Sequence, residues 1–258
     1  MHSVKQVYET YPYPRRWVNS KEDLMNYLDW VLEAIGLEKT WLKDKHILEI
    51  GCGTGEIANA LSLAGAHVIA LDLSKNSLKY AQKLKEKFQT QNLEFINGNA
   101  LSLPLKENQK FDLVLSLGVL HYTGNTKKAI QLASQHVKST GYLSVGLYNK
   151  IGRLRMRIKR FIVQKLAGNN LEKQMQLGKK LFGYGNTAMH EQVWLADKYA
   201  VPVETYHSLK EVTKWFEKNK FEIVNIRPKL KWKSFLKNEI NWFFEKRGAF
   251  FIVTGKKN

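Results

Sequence analysis

The chain carries one cysteine, Cys52, in 258 residues. No internal disulfide can staple the fold, and a reducing cytoplasm is the expected setting. Long apolar runs are also missing. Nothing approaches the roughly 20 uncharged residues that span a bilayer, and residues 1–20 hold no hydrophobic stretch of the secretory-signal kind. The seven histidines are scattered and never join cysteine at zinc-site spacing, so no metal is expected. Internal repeats and low-complexity tracts are absent. Acidic residues are scarce, 23 against 41 lysines and arginines, which leaves a net charge of +18. The imbalance is uneven: residues 1–150 carry 18 basic and 14 acidic side chains, residues 151–258 carry 23 and 9. Such a field attracts nucleic acid, acidic lipid headgroups, or phosphorylated and carboxylate small molecules. A genome that favours lysine would give the same excess with no partner at all.

What is present is an alternation of apolar runs and amphipathic stretches, with 44% hydrophobic residues, enough for one sizeable core. HILEI (46–50), HVIALDLS (67–74), LEFIN (93–97), FDLVLSL (111–117) and GYLSVGLY (141–148) read as strands. Their continuous apolar character is that of strands covered on both faces. Leu24, Leu28, Val31, Leu32 and Ile35 recur at helical spacing before a Gly36 stop. Ser74 is placed to cap a Lys-rich helix, and residues 126–137 read as another. The order describes an open, mostly parallel sheet with helices on both faces. Before it, VKQVYETYPYPRRW (4–17) holds two prolines and four aromatics and predicts an extended, packed arm. After Tyr148 the alternation breaks. Ile151, Leu154, Ile158, Phe161 and Leu166 form a stripe on a predicted helix, interleaved with Arg153, Arg155, Arg157, Lys159 and Arg160. A glycine-rich turn follows at 181–186. Regular structure resumes with a helix at 208–219, a strand near 221–228, helical spacing over 231–248 and a last strand at 249–255.

The chemistry is concentrated in ILEIGCGTGE (47–56), a strand running into a turn with Gly51, Gly53 and Gly55. Glycine suits a turn that needs positive φ or that lies against a ligand. Two phosphate-binding patterns fail here. The dinucleotide fingerprint wants glycine at its sixth position, where Glu56 stands, and no Gly-Lys-Ser/Thr follows as in a Walker loop. The segment instead resembles motif I of the class I S-adenosylmethionine methyltransferases, and the resemblance continues in order over about 100 residues. Asp72 ends the second strand, where an acid can accept both ribose hydroxyls. FINGNALSLPL (95–105) resembles the adenine-holding segment, with Asn99 where the family usually has Asp. FDLVLSLGVLHYT (111–123) resembles the fourth-strand motif at the methionine end, and GYLSVGLYN (141–149) the fifth strand. The flanks YETYPYPRRW (8–17), GLYNKIGRLR (146–155) and DKYAVPVETYHSLKEVTKWFEKNKF (197–221) look like a bacterial subgroup with a Tyr-Pro-rich N-terminus.

The resemblance implies a Rossmann-like α/β fold: a seven-stranded, mostly parallel sheet with an antiparallel last strand, helices on both faces and a helical insertion after strand 5. It divides the chain into an N-terminal arm and helix (1–40), a cofactor-binding core (41–150), the insertion (151–205) and a completion of the sheet (206–258). It implies S-adenosylmethionine as cofactor and S-adenosylhomocysteine as product. Glu49 and Gly51 are expected at the methionine end and Asp72 at the ribose, with Cys52, Gly53, Gly55, Leu73 and His121 also among the cofactor-binding residues. Asn99 and Ala100 are expected at the adenine, and Leu117 contributes its backbone. Cys52 also reads simply as a small buried residue under the turn.

The acceptor side is less sharply drawn. His121, Tyr13 and His207 are the catalytic candidates. His121 follows the fourth strand at the carboxyl edge of the sheet and reads as a base or as a packing histidine. Tyr11 and Tyr13 read as an aromatic lid over a sulfonium or as staples for the arm. Arg16 reads as a partner of the cofactor carboxylate or as a surface charge. Tyr148, Asn149, His190, Tyr199 and Glu204 are further candidates for the pocket wall. The basic helix at 151–166 has three readings: a lid burying its apolar stripe on the core, a membrane-surface helix, or a phosphate-binding surface for RNA. The leading expectation is methyl transfer to a small anionic acceptor at O, N or C. The alternatives are an RNA methyltransferase, against which stands the absence of an Asn/Asp-Pro-Pro-Tyr/Phe motif after the fourth strand, and a non-catalytic interaction protein of the same fold.

Overall fold

The computed structural model describes residues 2–14, 18–184, 190–245 and 249–258. Its centre is a seven-stranded sheet. In chain order the strands are β1 (His46–Ile50), β2 (His67–Asp72), β3 (Leu93–Asn97), β4 (Phe111–Leu117), β5 (Val137–Tyr148), β6 (Phe221–Arg227) and β7 (Phe250–Lys257). Across the sheet they run β3-β2-β1-β4-β5-β7-β6. The first five are parallel, and β7 lies antiparallel between β5 and β6. The expected fold class is therefore observed. Register gathers the carboxyl ends on one edge: Ile50 pairs with Leu71, Asp72 with Asn97, and Leu117 with Gly146.

Helices cover both faces, which is why the central strands β1, β2 and β4 are mostly apolar. One face is closed by α2 (Lys21–Ile35), α3 (Glu56–Leu63) and α4 (Lys75–Phe88), the other by α5 (Thr126–Gln135), α9 (Leu209–Lys218) and α10 (Phe235–Phe244). Local signals fix the ends of α2. Ser20 accepts from Asp23 N–H while the Asp23 carboxylate accepts from Ser20 N–H, a reciprocal cap. Gly36 closes the helix at φ 75°, where a side chain would be strained. Leu24, Leu28, Leu32 and Ile35 are buried on the sheet, each contributing roughly 1.5–3 kcal/mol.

Two expectations need correction. The N-terminal segment is not extended throughout: α1 (Val4–Thr10) is a helix, capped by Ser3 and Gln6. The prolines lie beyond it at 12 and 14, so they end the helix at Tyr11 and do not forbid it. Val7 on α1 is fully buried against the insertion.

The second correction concerns the insertion, which holds α6 (Leu154–Ala167), α7 (Leu171–Phe182), α8 (Glu191–Leu195) and a π-helical turn, Ala196–Ala200. α6 does not bury its Leu154-Ile158-Phe161-Leu166 stripe. Those side chains are exposed, and the covered face is Arg160, Val163 and Ala167. The reason is ionic. Glu204, whose side chain is 1% exposed, is held by Arg153 Nε at 3.0 Å and by Arg160 Nη1 at 3.2 Å. A buried carboxylate needs such partners, and supplying them turns Arg153 and Arg160 inward.

Removing Glu204 strands two guanidinium groups in a dry setting. Glu204→Ala is expected to cost about 3–5 kcal/mol of unfolding free energy, read from urea denaturation. A loss below about 1 kcal/mol would place the ion triad in water.

Candidate active site

Two cavities open at the carboxyl edge of the sheet. The first, about 350 Å³, is lined on one side by Glu49, Gly51, Cys52, Gly53, Asp72 and Leu117. The second, about 580 Å³, is lined by Leu73, Asn99 and Ala100 together with Leu71, Gly98 and Leu101. They share Gly51, Val119 and Tyr122. The cofactor-side residues expected from the sequence are thus divided between two adjoining chambers. Gly55 is the N-cap of α3 and lines neither.

The turn after β1 is shaped by the chain's own atoms. Gly51 has φ 79°, and a Cβ there would overlap the side chain of Val119. Gly53 has φ 55°, and a Cβ would overlap the carbonyl oxygen of Tyr13, which also accepts from Thr54 N–H at 3.1 Å. The N-terminal segment therefore lies directly on the glycine turn. Asp72 ties that turn to the next: Oδ2 accepts from Gly53 N–H at 2.9 Å and Oδ1 from Ser74 N–H at 2.8 Å. Burial raises the pKa of its carboxyl, against the opposing pull of those two N–H groups.

Glu49 is the most informative side chain. It is buried, and its Oε2 has no hydrogen-bond partner among the described residues. Burial, followed by the charges of Glu56 and Asp72, pushes its carboxyl up to about 8. An unsatisfied acid facing a cavity calls for a cationic group. The methionine end of an S-adenosylmethionine molecule offers one in its ammonium, so the donor set fits that cofactor. In the second chamber, Asn99 Oδ1 accepts from Leu101 N–H at 2.9 Å, which fixes the carboxamide and leaves one lone pair to offer. Cys52 Sγ lies 3.9 Å from Gly53 O. Burial drives its thiol pKa well above the ordinary value, so it is inert.

The far side of the first cavity is built by residues the sequence reading had only partly singled out. Tyr13 and Tyr148 line it as anticipated; Tyr8, Tyr122, Arg153, Asp197 and Lys198 join them. Asp197 accepts from Tyr8 OH at 3.0 Å, Tyr122 OH at 3.1 Å and Lys198 Nζ at 2.7 Å. Burial alone would raise its pKa, but Lys198 and then Arg153 outweigh that and hold it below the usual range. The Arg153 guanidinium carbon lies 3.4 Å from the centroid of the Tyr148 ring. This residue is 6% exposed, and its Nη2 has no partner among the described residues.

The other candidates fall elsewhere. His121 is fully buried behind the cavity wall, its ring 4.3 Å from that of Tyr122 and 4.0 Å from that of Tyr148. Burial, then Arg153, depress its pKa well below 6.5 and keep it neutral. His207 Nε2 lies 3.0 Å from the hydroxyls of Thr126 and Thr205. Neither histidine lines a cavity. Tyr11 packs with the insertion cluster, and Arg16 lies outside the described residues. Asn149 Oδ1 caps the loop after β5, accepting from Ile151 and Gly152 N–H. Glu204 serves the ion triad, Tyr199 is buried in the insertion core, and His190 lines neither chamber.

Residues 42–245 match a family model described as a methyltransferase domain. The chain belongs to this family. Among curated relatives, the family member is 33% identical over 118 residues to the mitochondrial ubiquinone biosynthesis O-methyltransferase of Dictyostelium discoideum, covering 42% of this chain and 37% of that protein. It is 36% identical over 110 residues to the demethylmenaquinone methyltransferase of Oceanobacillus iheyensis, covering 38% of this chain and 44% of that one. The matches thus span less than half the length of these two relatives. In structure it is similar to the magnesium protoporphyrin IX methyltransferase of Synechocystis solved with S-adenosylhomocysteine, at a TM-score of 0.55 and 16% identity over 98% of this chain and 92% of that one. That likeness bears on the fold alone.

The Glu49 carboxyl gives a stability signature. Its folded pKa, about 8, lies above the ordinary 4.5. Between those values the native state holds a proton that the unfolded chain has released, so stability falls as pH rises. Glu49→Gln is expected to remove a slope of about 1.4 kcal/mol per pH unit across this window, measured by denaturation from pH 5 to pH 8. Parallel wild-type and variant curves would mean that Glu49 is ionised throughout.

Proposed function

We propose that the protein transfers the methyl group of S-adenosylmethionine to a small anionic acceptor, releasing S-adenosylhomocysteine. One observation carries the reading: two adjoining chambers that share Gly51, Val119 and Tyr122, the first lined by a Glu49 carboxyl whose Oε2 has no hydrogen-bond partner and by an Arg153 guanidinium whose Nη2 has none among the described residues. The order of the strands orders the ligands. Asn99 and Ala100 after β3 face the adenine, and Asp72 at the end of β2 takes the ribose hydroxyls. Glu49 and the backbone of Leu117, on β1 and β4, take the methionine end. Arg153 and Lys198, over the end of β5, then lie beyond the methyl group.

The cofactor supplies a methyl already activated on a sulfonium, so the chain's work is alignment and exclusion of water. Tyr13, fixed through its carbonyl on the glycine turn, presents its ring to the same chamber, where an aromatic face favours a cation. Arg153 meets an anionic group of the acceptor with Nη2, its plane held by Tyr148 and its Nε by Glu204. Asp197 stays ionised and receives Tyr8 and Tyr122, which fixes two hydroxyls around the acceptor. A carboxylate held below its usual range is a weak base, so the attacking atom is one that gives up its proton readily, a carboxylic or phenolic oxygen.

Three measurements test this. Calorimetry with S-adenosylhomocysteine at pH 7 is expected to show binding with release of nearly one proton, because a cation at Glu49 forces its carboxyl to ionise. Glu49→Gln abolishes the release, and Asp72→Ala weakens binding by about tenfold or more. Unchanged affinity in the Asp72 variant would refute the cofactor placement. With deuteromethyl-labelled cofactor and a fractionated cell extract, the label is expected in small molecules retained on an anion exchanger. Label in RNA, or none anywhere, would overturn the acceptor class. Arg153→Met is expected to lower kcat/KM for the labelled acceptor by about 100-fold, the cost of a lost charged contact, with cofactor affinity within twofold.

A further inference from the structure

We infer that α6 and α10 together form a docking face for an anionic lipid bilayer. The exposed side of α6 presents Leu154, Ile158, Phe161, Ile162 and Leu166. These recur at steps of three, four and one, which places them on one stripe about 18 Å long at 1.5 Å per residue. Phe161 is 66% exposed. α10 presents a second stripe of the same kind, Leu236, Ile240 and Phe244, the last 70% exposed, and the exposed Trp232 precedes it. The two helices are neighbours, since the Arg155 guanidinium lies 4.8 Å from the ring centroid of Phe243. Arg155 follows Leu154 and Phe243 precedes Phe244, so this contact joins the two helices beside their exposed stripes, and each stripe holds several side chains rather than a scattered single residue.

The charge around the stripes selects the occupant. α6 holds Arg155, Arg157, Lys159, Arg160 and Lys165 and no acidic residue. Only Arg160 of these is buried, on Glu204. Lys229, Lys231, Lys233 and Lys237 surround the start of α10 and are exposed, and the Glu245 carboxylate takes Lys231 at 2.7 Å. An apolar stripe rimmed by cations, with aromatic rings at its edge, is the composition that settles at a headgroup boundary. A second copy of the chain would bring like charge against like on this face. RNA would use the cations and leave the large apolar side chains of the two stripes, nine with Trp232, in water with no gain. No described helix is long and apolar enough to cross a membrane, so the contact is lateral.

The test uses the full chain and sucrose flotation with two kinds of vesicle, phosphatidylcholine alone and phosphatidylcholine mixed with phosphatidylglycerol. The chain is expected to float with the mixed vesicles and not with the neutral ones. Ile158→Asp combined with Phe161→Asp should reduce that partition by about tenfold or more, since two buried apolar groups are lost. Phe244→Asp on the other helix gives an independent reduction. Both variants should bind S-adenosylhomocysteine as the wild type does, because none of these side chains lines the crevice. Absence of wild-type flotation overturns the inference, as does flotation indifferent to the apolar substitutions. A wild-type dimer in sedimentation that the double variant renders monomeric overturns it in favour of self-association. Loss of nucleoside binding in every protein would strike the methyl-transfer reading alone and leave the flotation result standing.

Discussion

The structure turns on the carboxylate of Asp72. By accepting from Gly53 and Ser74 it locks the turn after β1 to the turn after β2, and everything at the carboxyl edge is positioned against that pair. Ser74 in turn donates its hydroxyl to the carbonyl of Tyr8 at 3.0 Å, and the Glu9 carboxylate accepts from the first N–H groups of α4. Tyr13 then rests its carbonyl on Gly53. The N-terminal segment is thus stitched across both turns by main-chain and short polar contacts. Such contacts tolerate little displacement, because buried backbone groups must stay paired.

The core was legible because its constraints are local. Leu24 to Ile35 repeat at the helical period, β1, β2 and β4 are predominantly apolar, and Ser20, Gly36 and Ser74 mark ends through their own backbone chemistry. The glycine turn and the acid after β2 stand at a spacing set by one strand-helix-strand unit, so Glu49, Gly51, Asp72, Asn99 and Leu117 all reach the crevice from sequence position alone. The helical state of residues 4–10 was hidden by the prolines, whose influence reaches back one residue and not eight.

The far wall was hidden for a different reason. Tyr8, Tyr122, Arg153, Asp197 and Lys198 come from four separate stretches of chain, and nothing in their spacing relates them. Only packing of the insertion against α1 assembles them. The reading of α6 as a lid that buries its apolar stripe failed on the same ground. An apolar stripe is ordinarily the buried side of a helix, and the exception required knowing that Glu204, forty-four residues from Arg160 along the chain, would lie dry and demand two cations. His121 illustrates the converse: it follows β4 at the right edge of the sheet, yet its ring lies tilted against Tyr122 and Tyr148 and lines neither chamber.

Arg153 and Leu154 are joined by a single peptide bond and face opposite worlds, one the interior of the crevice and the other open solvent. The first turn of α6 is therefore a rigid lever with a very short arm. The inner face of α6 is held by the ion triad, by the buried Val163 and Ala167, and by Arg160 Nη1 donating to the Lys198 carbonyl at 3.0 Å, so load on the outer face is passed to the insertion that carries Asp197 and Lys198. Whatever presses on the outside of the molecule there bears on a guanidinium that faces the first chamber.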